Sequence, residues 1–147
     1  GRLTDWWTAE DAAKFDAQAK IFGAQYAAIE VLPGVHINPE LTMGENIADL
    51  GGVLLALDAY HASLKGKPAP VIDGLTGDQR VFLGWAQVWR SKSREDRTRQ
   101  RLVSDPHSPE QYRADIPVRN IDAFYEAFGV RAGDKMYVAP DKRVRIW

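Results

Sequence analysis

With 147 residues, 45% of them hydrophobic and 27% charged, the chain has enough apolar material for one packed domain or a large piece of one, and its composition excludes a disordered segment. Its formal net charge of -1 excludes a general polyanion binder, which would need a basic surface, so no nucleic-acid partner is expected. The absence of Cys excludes disulfides and thiolate metal sites, and no apolar run approaches the roughly 20 residues that span a bilayer, so this segment is expected to make no membrane contact.

In chain order, Thr8-Ala9-Glu10-Asp11 reads as a helix start with Thr8 as cap. Ala12, Phe15, Ala19, Phe22, Tyr26 and Ile29 then recur at steps of three and four, which predicts a long amphipathic helix. Pro33, Gly34 and Pro39 break it, and Thr42 is expected to cap a second helix with Glu45 three positions on. On that helix Ile47, Leu50, Leu54, Leu57 and His61 form one stripe, while Glu45, Asp49, Gly52 and Ala56 form another. Carboxylates followed by small residues look like a contact face for a partner element that approaches closely above the acids.

Lys65 to Pro70 reads as a loop, and Thr76-Gly77-Asp78-Gln79 offers a capping box before Phe82, Trp85, Ala86 and Trp89, which are spaced as a buried helical face. From Arg90 to Arg101 six basic residues, broken by Glu95 and Asp96, are expected to form one charged face of a helix. Ser108-Pro109 resembles a cap followed by Pro at the first helical position, so a short helix should follow. Asn120 is expected to cap a last helix through Ile121, Phe124 and Phe128, with Gly129 as its stop. The end, Asp141 to Trp147, reads as irregular or briefly extended.

The chemistry concentrates in a few residues. Glu45 and Asp49 lie four apart on one helix face, a like-charge pair that costs an isolated helix roughly 0.2–0.5 kcal/mol, with no Lys or Arg within a turn on either side. Something outside the helix is therefore expected to neutralise them. Glu45 has a plain reading as the reciprocal partner of a Thr42 capping box, but no cap requires Asp49. The other reading is a division of labour at a metal, one carboxylate ligating zinc and the second orienting a ligating His. His36 and His61 read as ordinary surface or interface residues. His107 sits in Asp105-Pro106-His107, where Asp105 can hold one ring nitrogen, either as loop hydrogen bonding or to prepare a general acid, base or oxyanion donor. Arg113 is either a solvated helix Arg or a fork-shaped donor to a substrate carbonyl or carboxylate. Trp89, at a helix end, packs in a core or lines an apolar pocket. Read without the metal, the same residues make a non-enzymatic helical binding or scaffold module.

Together Asp5-Trp6-Trp7-Thr8, Gln25-Tyr26, Thr42-Met43-Gly44-Glu45-Asn46-Ile47-Ala48-Asp49-Leu50-Gly51-Gly52, Asp105-Pro106-His107-Ser108-Pro109 with Arg113, and Arg143-Val144-Arg145-Ile146-Trp147 resemble the C-terminal part of the neprilysin-like zinc metallopeptidases, the family that includes endothelin-converting enzymes and bacterial endopeptidases. The resemblance implies a mainly α fold, the helical C-terminal portion of a thermolysin-like (gluzincin) catalytic domain, with residues 1–147 forming one fragment of it. It implies Glu45 as the third ligand of a single zinc ion, Asp49 as the carboxylate orienting a ligating His, and His107 as the stabiliser of the tetrahedral oxyanion, with Asp105 as its orienting partner. Arg113 would donate to the bound peptide backbone, and Val88 and Trp89 would line an apolar pocket on the leaving side of the scissile bond. Peptides are the implied substrates, and a periplasmic, envelope-anchored or secreted location is implied with them. Two departures stand out: Val144 occupies a position where the family often has Cys, and the His-Glu-x-x-His helix expected upstream of Asp5 is absent from the sequence. The chain alone is therefore expected to be inactive, to release zinc, and to present its Glu45 face to an upstream segment or to a second copy of itself.

Overall fold

The computed structural model describes residues 1–146. Trp147, which closes the last of the family-like motifs, lies outside them. Helix α1 (Ala9–Ala27) starts at Thr8, whose hydroxyl accepts from the Asp11 backbone N–H, and it buries Phe22 and Tyr26 as the periodicity predicts. It stops before Ile29. The chain instead turns through a short hairpin, β1 (Glu30–Leu32) and β2 (Val35–His36), which the sequence reading treated only as a break. Pro33 and Gly34 form its tip, Gly34 at φ +71°, and the Gly34 N–H donates to Glu30 Oε1 at 2.7 Å.

Helix α2 (Pro39–Ser63) begins four residues earlier than expected, because Pro39 starts the helix rather than ending the preceding segment. Asn38 is the cap, its side chain accepting from the Glu40 N–H at 3.0 Å. Thr42 is already inside the helix, where its hydroxyl donates to the Asn38 carbonyl. This removes the capping-box explanation of Glu45, which sits in the helix body with no cap to complete.

Helix α3 (Gly77–Val88) carries the predicted capping box, with both reciprocal bonds between Thr76 and Gln79 formed. Phe82 is buried and Trp85 and Trp89 half-buried, but Ala86 is exposed. The basic segment does not lie on one helix: α4 (Glu95–Ser104) begins only at Glu95, leaving Arg90 to Arg94 outside. Glu95 and Asp96, read as interruptions, are first-turn acids that favour a helix start there. Helix α5 (Glu110–Val118) follows Pro109 without a side-chain cap, because the expected cap, Ser108, is fully buried and bonded elsewhere. Helix α6 (Asp122–Phe128) ends as predicted at Gly129 in the left-handed region.

Helix α2 is central, packing against α1, α3 and α5, while α3 also packs on α6. The core unites Phe22 and Tyr26 of α1, Leu50 and Val53 of α2, Ile116 of α5 and Val144 of the tail. Asn120 is not a cap either. Its amide accepts from Gln25 Nε2 and the Val144 N–H and donates to Gln25 Oε1 and the Ile116 carbonyl, all within 2.9 Å, so one buried side chain ties α1, α5 and the C-terminal tail together. Asn120→Ala orphans several of these groups at once and should lower stability by about 2–4 kcal/mol, read from the urea midpoint. No helix among the described residues is long and apolar enough to cross a membrane.

Candidate functional site

Three segments far apart in sequence bring the candidate residues into one cluster on the face of α2. Helix α2 supplies Glu45 and Asp49 from successive turns, the loop after α4 supplies Asp105 and His107, and the first turns of α5 supply Arg113. A buried polar chain fixes the loop to the helix: Ser108 Oγ donates to Asn46 Oδ1 at 2.7 Å, and Asn46 Nδ2 donates to Thr42 Oγ1 at 3.0 Å. This pairing was not readable in the sequence, where Ser108 has the look of a helix cap and Asn46 is only a polar residue beside the apolar stripe. Each is held by the need to satisfy the other away from water.

Arg113 is the outside charge that the like-charge pair requires. Its Nε and Nη2 donate to the two oxygens of Asp49, both at 2.7 Å, and Nη2 lies 3.7 Å from Glu45 Oε2. The Asp49 side chain keeps 7% of its exposure and that of Arg113 13%, so the pair is desolvated within the chain. Burial disfavours the Arg113 charge, but the Asp49 hydrogen bonds and the charges of Asp49 and Glu45 outweigh it and raise the guanidinium above its ordinary value. The Arg113 guanidinium also stacks 4.1 Å from the Trp89 ring centre. Tyr26, in the core beneath, has its hydroxyl pushed up first by burial and then by the charge of Asp49.

His107 stands between two carboxylates. Its Nδ1 lies 2.7 Å from Asp105 Oδ1, which also accepts from the His107 backbone N–H at 2.9 Å, and its Nε2 lies 3.2 Å from Glu45 Oε2. Only the Nδ1 contact has hydrogen-bond geometry, while Nε2 stands beside Glu45 at ion-pair distance. The His107 backbone and ring bonds, together with Arg101, hold the Asp105 carboxyl at about 2. Arg101 was missed in the sequence reading, although an Arg four residues before an Asp in a helical segment is a readable pairing signal.

Glu45 is the accessible acid, 42% exposed, and its Oε1 has no hydrogen-bond partner among the described residues. The face running on from it is open at Gly52 and Ala56, whereas Asp49 is covered internally by Arg113 rather than left for a partner. Val88 is 72% exposed at the end of α3, and only Trp89 of that pair reaches the cluster. His36 and His61 stay on the surface, beside the Ala27 carbonyl and Asp78 respectively. Among the described residues no group of three or more His, Asp or Glu side chains is placed to hold a metal ion.

The family model described as "Peptidase family M13" matches residues 1–144. The chain belongs to peptidase family M13. It is 37% identical to Neprilysin-21 of Caenorhabditis elegans, an alignment covering 100% of this chain and 20% of that protein. It is 36% identical to the neutral endopeptidase of Lactococcus lactis subsp. lactis, over 100% of this chain and 22% of that one. The crystal structure of the Mycobacterium tuberculosis zinc metalloprotease ZMP1 in complex with inhibitor superposes with a TM-score of 0.96 at 52% identity, over 99% of this chain and 23% of that one. The chain thus spans about a fifth of the length of these M13 relatives, and its helical fold is that of the matching part.

Proposed function

We propose that the chain supplies one side of the active site of a zinc-dependent endopeptidase, completed by a segment carrying His-Glu-x-x-His. The observation that carries this reading is the convergence of Glu45, Asp49, His107 and Arg113 from three separate segments onto one face of α2. A scaffold would not need a half-exposed carboxylate with a free oxygen beside a carboxylate-held His. The donor set fits a metal only in part: one hard oxygen ligand, Glu45, with the remaining ligands to come from outside these residues.

When bound, the metal would polarise the peptide carbonyl and lower the pKa of a bound water. Glu45 would hold it, and Asp49, anchored by Arg113, would present its remaining lone pairs to an incoming ligand His. The Nε2–H of His107, aimed across the face of Glu45, would donate to negative charge developing on the substrate carbonyl oxygen, with Asp105 holding the opposite nitrogen. Arg113 has a further donor capacity beyond Asp49 for the peptide backbone, and Trp89 beneath it offers an apolar wall.

Support for an outside partner comes from the face itself. A Cβ built on Gly44 or Gly52 meets nothing within 4 Å, so packing within this chain does not require these glycines. The small residues leave room for a second helix to lie close above Glu45. In a polypeptide joining this chain to its His-Glu-x-x-His segment, His107→Ala should lower kcat for peptide hydrolysis by about 100- to 1,000-fold with KM little changed. An unchanged kcat would remove His107 from the reaction.

A further inference from the structure

Resting on the assignment of His107 as the oxyanion donor, we propose that Arg101 is a positioning residue which, anchored by Glu110, commits the Asp105 carboxylate to His107. Asp105 uses its oxygens unequally. Oδ1 takes both bonds from His107, and Oδ2 accepts from Arg101 Nε at 2.8 Å. Arg101 in turn donates from Nη1 to Glu110 Oε1 at 2.5 Å. Its guanidinium therefore spans the loop from the last turn of α4 to the first residue of α5, and the loop it braces is the one that carries His107. Arg101, Asp105 and Glu110 are each only about a quarter exposed.

The arrangement has a mechanical logic. An Asp side chain in a loop can rotate about its Cβ–Cγ bond, and the two His107 bonds both end on Oδ1, so they leave Oδ2, and with it the plane of the carboxylate, unset. The planar fork of Arg101 occupies Oδ2 and leaves Oδ1 as the one oxygen facing the ring. Glu110 keeps the fork from swinging away, and without Arg101 the Asp105 and Glu110 charges face each other across the loop. Lys at this position could neutralise one acid but could not bridge both with a fixed geometry. Of the basic residues between Arg90 and Arg101, Arg101 is the one bonded to the site, while Arg99 makes only an exposed pair with Glu95.

The test has two readouts. Ring 15N shifts of His107 in the metal-free chain, recorded with the ring neutral, report which nitrogen carries the proton. Asp105 should hold it on Nδ1, the arrangement in which the second proton of the charged ring is the Nε2–H that faces the substrate, and Arg101→Met should redistribute the neutral ring's proton toward Nε2. In the joined polypeptide, Arg101→Met should lower kcat about tenfold with KM within about twofold, Arg101→Lys should recover part of that loss, and neither should act further once His107 is Ala. Should Arg101→Met fail to fold, the Arg101→Lys spectrum and kcat carry the same comparison. Unchanged ring shifts, or an equal kcat loss in the His107→Ala background, would overturn the positioning role. A wild-type kcat in His107→Ala would instead overturn the assignment beneath it, and the ring shifts would still decide whether Arg101 holds Asp105 on His107.

Discussion

Arg113→Met should cost about 3–5 kcal/mol of folding stability, read as a fall in urea midpoint at unchanged slope. The size follows from what remains behind. Asp49 is 7% exposed and both its oxygens are bonded to Arg113, so removing the guanidinium strands a buried carboxylate with Glu45 one turn away. Lost stacking on Trp89 adds about 1 kcal/mol. Asp49→Leu combined with Arg113→Met removes both charges and should regain at least half of the loss, since a well-packed apolar pair often substitutes for a buried ion pair. Arg113→Lys keeps the charge without the fork and should fall between. A midpoint shift below about 1 kcal/mol for Arg113→Met would mean that the pair is solvated and is no structural centre.

The second large effect is expected at Glu45, and it is chemical rather than structural. Glu45 is 42% exposed and completes no helix cap, so Glu45→Gln should leave the fold intact, within about 0.5 kcal/mol. In a polypeptide that also carries the two His ligands, the same change should weaken zinc by more than the about 10- to 100-fold that outer-shell substitutions cost. Asp49→Asn, which leaves the ligand in place, should fall within that range. Zinc retention equal to wild type in Glu45→Gln would leave Glu45 as an ordinary surface acid.

Much of this was legible in the sequence, for physical reasons that differ by residue. Thr8 and Thr76 were readable as caps because their partners, Asp11 and Gln79, lie within one helical turn. The Asp105 and His107 pairing was readable for the same reason, a contact two residues long. The demand for a countercharge on Glu45 and Asp49 was readable from α2 alone, but its source was not, because Arg113 arrives from 64 residues away. Ser108 and Asn120 were misread as caps by one principle: each has the right chemistry for a helix end, and tertiary partners claimed it first, whereas Thr42 was misread because Asn38 and Pro39 start the helix a turn earlier and leave its hydroxyl bonded to the Asn38 carbonyl. Ser108 went to Asn46 and Asn120 to Gln25 and Val144, contacts across 62, 95 and 24 residues that no local pattern contains. The hairpin at Pro33-Gly34 was missed because two- and three-residue strands are too short to show alternation.

The most direct test of the central claim, that this chain holds one ligand of a zinc site completed elsewhere, is zinc calorimetry on the 147-residue chain beside the same chain joined to its His-Glu-x-x-His segment. The account predicts no submicromolar zinc binding to the chain alone, and tight one-to-one binding to the joined polypeptide that Glu45→Gln weakens severely. Submicromolar binding by the chain alone that Glu45→Gln left untouched would contradict it.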